Sequence, residues 1–181
     1  MIKWLLRRQL AAFERSFCYD ATYVRDILEA SPRGFMALAR IQAMGRFRRD
    51  IPRDAYYAAK LVAARAEDCG PCTQLVATMA ERAGVPAATL RAVLARDESA
   101  MSETVALGFR FAEATLAHDP AADALREDIA RRWGPRALIS LAFALASARV
   151  FPTVKYALGH GKACARVVVG GKPVTVLRRA A

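Results

Sequence analysis

The prolines of this chain stand where helices can begin. Ser31-Pro32, Ile51-Pro52, Gly70-Pro71, Val85-Pro86, Asp119-Pro120 and Gly134-Pro135 divide it into pieces of helical length. A proline fits the first turn of a helix, where its missing N–H is not needed, and blocks a helix arriving from upstream. Between these marks alanine is abundant and β-branched residues are sparse, which favours helix. Leu6, Leu10, Phe13 and Phe17 fall on one stripe of an amphipathic helix over about 4–17. Asp20 is placed to cap a second helix reaching Ala30. Ser31-Pro32 opens a third that carries Phe35, Met36, Leu38, Met44 and Phe47 and closes on Arg46, Arg48 and Arg49. Further helices are expected over about 53–67, 71–83, 86–95, 102–117, 120–133 and 136–158. Gly84 stops the fifth, and Pro152 kinks or splits the last.

The run Ala137 to Ala148 is the longest apolar stretch. It is short for a bilayer span and reads as a central, buried helix. After Gly159 the pattern changes. Arg166 to Val169, Gly170-Gly171, and Pro173 to Leu177 read as a β-hairpin, which must pack on the body or on another chain to be stable. The expected fold class is all-α with a short C-terminal β-hairpin. Residues 1–50 form a helical extension packed on the core, 51–160 the core, and 161–181 a basic hairpin tail.

Hydrophobic residues make up 55% and charged residues 25%, so the chain should be globular rather than disordered. The net charge of +11 sits at the two ends. Residues 1–50 hold ten Lys/Arg against five Asp/Glu, residues 51–150 twelve of each, and residues 151–181 six against none. Basic ends can meet nucleic acid, anionic lipid or an acidic partner, but solvated surface is their commoner meaning. Nucleic-acid and membrane partners are not expected. The first helix, likewise, should dock on its own core or on a sister subunit rather than on a membrane. Met1 to Arg8 breaks into charge before a secretory h-region can form, so a cytoplasmic protein is expected.

Four cysteines do not make a disulfide framework in a chain of 181 residues. Two of them, Cys69 and Cys72, enclose Gly70-Pro71 at a helix start. In a reducing compartment such a pair is more often redox-active or metal-binding than structural. A structural zinc site usually needs four ligands. The spare candidates are Cys18, Cys164, His118 and His160, and only the pair Cys164 and His160 is close in sequence, so no metal and no cofactor is expected. The cysteines as small core residues remain the bland alternative. At a helix N-terminus the partial positive charge favours a thiolate. That thiolate attacks a peroxide or a disulfide, and the neighbouring thiol closes an intramolecular disulfide. Cys-Gly-Pro-Cys is the thioredoxin tetrapeptide, but a thioredoxin-like site follows a β-strand, and here the preceding fifteen residues are helical.

Leu61 to Cys72, followed by Leu75, Met79, Ala80, Ala83, Gly84 and Val85, resembles the core of the AhpD-like, carboxymuconolactone decarboxylase-like proteins. The later Phe111-Ala112-Glu113 helix and the Leu/Ala-rich helix after Arg136 are similar in order and type. The resemblance covers about 50–160 and is strongest over 58–90. It implies an AhpD-like helical bundle assembling as a trimer or hexamer, with Cys72 the peroxide-reacting thiolate and Cys69 its resolving partner. The family's proton-relay histidine and glutamate correspond to Val76 and Tyr57, so the relay must come from other residues or be lost. Glu67, His160 and Tyr57 are the candidate replacements, with Lys60 behind them. The expected function is a thiol-dependent oxidoreductase acting on a hydroperoxide or disulfide substrate and recycled by a cellular thiol reductant. A non-catalytic binding or structural homo-oligomer on the same fold is the alternative. Lactone decarboxylation ranks third, because that branch does not rely on a Cys-x-x-Cys. Cys18 and Cys164 are not expected to be essential.

Overall fold

Helix dominates the molecule, as the proline spacing implies. The structure, a computed structural model, describes residues 2–161 and 166–176. Among these, α1 (Ile2–Phe17), α2 (Thr22–Ala30) and α3 (Pro32–Met44) precede α4 (Arg53–Ala66), α5 (Gly70–Arg82) and α6 (Ala87–Ala95). A 3-10 turn at Glu98–Ala100 leads to α7 (Glu103–Leu116), α8 (Ala121–Trp133) and α9 (Pro135–Ala157). The hairpin β1 (Arg166–Val169) and β2 (Lys172–Thr175) follows.

Most boundaries follow local chemistry. Ser31 caps α3, its hydroxyl accepting from Gly34 N–H at 3.0 Å, and Ser102 caps α7 by accepting from Val105 N–H. Gly84, at φ +85°, makes the left-handed exit after α5. Asp20 does not cap α2 as expected. Its carboxylate accepts from the N–H and hydroxyl of Thr22 in a local turn, and Ala21 holds the cap position. The third helix is shorter than its apolar pattern suggests, because Gly45 ends it at Met44. A Cβ at Gly45 would lie 2.5 Å from the Ser147 hydroxyl of α9, so only glycine permits this approach. Phe47 therefore lies outside the helix, edge-on to Phe143 at 5.7 Å between ring centroids.

The most enclosed helix is α4, which packs against α7, α9 and α5. Its alanines let neighbouring backbones come close. Where α7 crosses it, a Cβ at Gly108 would stand 2.7 Å from the Ala55 carbonyl oxygen. Fully buried side chains such as Leu61, Leu90 and Leu141 are worth about 1.5–3 kcal/mol each in area removed from water. The expected central place of α9 is only half met. Ala137, Leu141, Ala144 and Ala148 face inward, while Ile139 and Phe143 are exposed. At 23 residues α9 is also long and apolar enough, by length and composition alone, to cross a membrane, unlike the shorter run read from the sequence. It continues through Pro152 without being split.

The N-terminal helices pack on this core. Leu10, Phe13 and Phe17 of α1 and Leu38 of α3 close over Tyr19, Ala21 and Tyr23, together with Leu75 of α5 and Val154 of α9. The hairpin turns on Gly170 and Gly171, both at positive φ, as a tight two-residue turn requires. Val167 and Val169 are buried against α5 and α6. The side-chain amide of Gln74 both donates to the Val168 carbonyl and accepts from its N–H, at 3.0 and 2.7 Å. The hairpin thus packs on the body, one of the two outcomes expected. Leu177 and Cys164 lie outside the described residues.

Candidate active site

Cys69 occupies the N-cap of α5 with extended backbone, Gly70 and Pro71 form the first helical positions, and Cys72 stands at the third. This register brings the two Cα atoms to 5.2 Å, and the cysteines are joined as a disulfide. Asp68 lies one residue outside the helix cap, in the left-handed region at φ +52°. That conformation, which Asp tolerates better than most residues, turns the chain sharply between α4 and α5. The Cys69 carbonyl is held by the N–H and hydroxyl of Thr73 at 2.9 and 3.0 Å.

The two sulfurs differ in surroundings. Cys69 is 0% exposed and Cys72 5%. Cys72 borders a cavity of about 1010 Å³ between the N-terminal helices and the core, and Cys69 does not. The phenolic oxygen of Tyr19 is 3.9 Å from Cys72 Sγ, within reach of a hydrogen bond to sulfur. Burial pushes the Tyr19 phenol above its ordinary range, and its hydrogen bond with Tyr23 offsets part of that rise. Tyr23 is raised strongly, again chiefly by burial. Both phenols therefore keep their protons at neutral pH and can serve as donors. Lys155 of α9, 2% exposed, holds its ammonium 4.7 Å above the Tyr19 ring and 5.5 Å above the Tyr23 ring. It also donates to the Asp20 carbonyl at 3.4 Å.

The residues singled out from the sequence divide between the cavity and the surface. Tyr57 lines the same cavity as Cys72, with its ring edge-on to Tyr56 at 5.3 Å. Lys60 lines it too, donating to the Gly45 carbonyl at 2.8 Å. Burial, with the Arg46 charge adding to it, pulls the Lys60 amine down to about 8. Glu67 is turned away, paired with Arg149 and accepting from the Thr153 hydroxyl of α9. His160 pairs with Asp26 of α2 at 3.0 Å. Neither Glu67 nor His160 borders the cavity. Glu113 of α7 is enclosed with Arg65 and Arg96, which it bridges. Cys18 is exposed just past the end of α1, at φ +48°.

Tyr19, Tyr23 and Lys155 were not read from the sequence as site residues. Tyr19 is separated from Cys72 by 53 positions, and no spacing rule connects them. Lys155 did leave a signal, since it continues the inward stripe Ala137, Leu141, Ala144, Ala148, Pro152 as the only cation on it. Among the described residues no three His, Cys, Asp or Glu side chains gather as a metal site. No family model, curated protein or solved structure matches the chain.

Proposed function

We propose that the protein is a thiol-dependent oxidoreductase that reduces hydroperoxides, or exchanges disulfides, through Cys72 and Cys69. One observation carries the reading. Cys72 faces the cavity at a helix N-terminus with a protonated phenol beside it, while its disulfide partner lies fully buried behind. The reduced Cys72 thiolate attacks the terminal oxygen of a hydroperoxide. The O–O bond breaks, Cys72 becomes a sulfenic acid, and the leaving alkoxide takes a proton to become an alcohol. Tyr19 is placed to donate that proton. The Cys69 thiolate then attacks Cys72 Sγ, water leaves, and the disulfide closes. A cellular dithiol supplies two electrons to reopen it. We include in the proposal the AhpD-like character suggested by the resemblance over residues 58–90, and a cytoplasmic setting in which such a dithiol can be kept reduced.

The test is turnover of cumene hydroperoxide with a dithiol donor, alongside alkylation that distinguishes the open from the closed Cys69–Cys72 pair. The expected result is turnover in the natural protein and none in Cys72→Ser. In Cys69→Ser a sulfenic acid should persist on Cys72 and be captured by dimedone. Undiminished turnover by Cys72→Ser would sink the reading. The second reading, a non-catalytic homo-oligomer, draws on the exposed Ile139 and Phe143 of α9. It predicts self-association without turnover, which sedimentation alongside the same assay would reveal.

A further inference from the structure

The cavity beside Cys72 has an uneven lining. Leu10, Phe13, Leu38, Leu75 and Phe151 make one apolar wall. Five cations, Arg46, Arg48, Arg49, Lys60 and Arg82, also border it, and among the described residues no Asp or Glu does. Arg82 is engaged elsewhere, donating to the Ser16 hydroxyl at 2.7 Å and covering the Phe17 ring. Lys60, Arg46 and Arg48 form no ion pair among the described residues. They gather where α3 ends. Lys60 Nζ and Tyr56 Oη both donate to the single Gly45 carbonyl, at 2.8 and 2.5 Å. Arg46 and Arg48 are close enough to act on Lys60 and Tyr56 respectively. A half-buried ammonium without a carboxylate is costly unless something anionic completes it.

We propose that this cavity binds a long-chain carboxylate, with its headgroup at Lys60 and Arg46 and its chain along the apolar wall toward Cys72. The charge complementarity singles out the occupant. A neutral apolar ligand would leave Lys60 unpaired, and a small anion would leave the apolar wall empty. The volume, about 1010 Å³, stands at the top of the range typical of small-molecule sites, so an unbranched chain of fatty-acid length fits. The headgroup gives Lys60 a charge-assisted hydrogen bond beside the one it makes to the Gly45 carbonyl. On the redox reading given above, and resting on it, the natural substrate class is then a fatty-acid hydroperoxide, reduced to the hydroxy acid with the dithiol as the electron source.

The experiment titrates the full-length oxidised protein with cis-parinaric acid, a fluorescent fatty acid, and displaces it with oleate or with oleyl alcohol. Parinarate should bind and be displaced by oleate far better than by the alcohol. Lys60→Met should weaken parinarate binding about tenfold, the worth of one charge-assisted contact. Arg46→Gln, an exposed position that leaves folding intact, should weaken it by a smaller factor. Absent parinarate binding, equal competition by oleyl alcohol, or unaltered affinity in both variants overturns the proposal. Cys72→Ser separates the two ideas. If it binds parinarate while the natural protein turns over no hydroperoxide, the redox reading fails and the ligand class stands. If cumene hydroperoxide is turned over and parinarate does not bind, the ligand class fails alone.

Discussion

Tyr19 reaches Cys72 from the chain's own N-terminal segment, its phenolic oxygen 3.9 Å from Sγ. A phenol kept protonated by burial beside a sulfur at a helix N-terminus stabilises the thiolate over the thiol. Burial of Cys72 opposes this, so Tyr19 is the adjustable half of the balance. Tyr19→Phe keeps the ring under Lys155 and removes only the hydroxyl. The thiol of reduced Cys72 should then give up its proton less readily, leaving a smaller thiolate fraction near neutral pH. Iodoacetamide alkylation followed against pH reads this directly, and an unmoved curve would remove Tyr19 from the site.

Lys60 makes stability depend on alkaline pH. In the unfolded chain its amine holds a proton up to about its ordinary 10.5, and in the folded protein only up to about 8. Between those values the unfolded state binds more protons, so stability rises with pH across the window and is lowest below it. Lys60→Met lacks this dependence. Near pH 7 it should be the more stable protein by about 2–3 kcal/mol, and the gap should close toward pH 10.5. Urea denaturation of both proteins at a series of pH values measures the difference, which cancels the tyrosines titrating in the same range.

Glu113 carries a structural load that Arg96 does not share equally. The Arg65 side chain is 5% exposed, and Glu113 compensates it, whereas Arg96 reaches the same carboxylate from a more open position. Glu113→Gln leaves a buried guanidinium without its counter-charge and should cost about 3–5 kcal/mol. Arg96→Gln should cost about 1 kcal/mol or less. Equal losses in chemical denaturation would refute this ranking.

Gly108→Ala tests the closest crossing in the core. Its new Cβ would meet the backbone of Ala55 at 2.7 Å, and backbone cannot rotate aside as a side chain can. Helices α4 and α7 must separate, at about 1–3 kcal/mol. A melting temperature equal to that of the natural protein would show that the crossing has slack.

How much of this was legible depends on the range of each interaction. Ser31-Pro32 and Ser102 announce helix starts because a cap is local, and the structure places both as caps. The two-residue Gly170-Gly171 turn is equally local. Phe47 misleads, because its apolar character continues the α3 pattern while the contact that ends α3 comes from Ser147, a hundred residues away in sequence. The dithiol was plain, but its surroundings were not. Glu67 stands two residues before Cys69 in sequence, yet the left-handed turn at Asp68 leaves it facing Arg149. Tyr19, distant in sequence, is the residue that arrives at the sulfur. Sequence adjacency and spatial adjacency part company wherever the chain reverses within one or two residues.

The Gln74 side chain does for β1 what a third strand would do, satisfying both polar groups of Val168. It stands two residues after Cys72, on the same turn of α5. Unwinding of this turn would strip the exposed strand edge of its cover. Amide exchange at Val168, far from the cysteines in sequence, thereby becomes a reporter of the helical turn that carries Cys72.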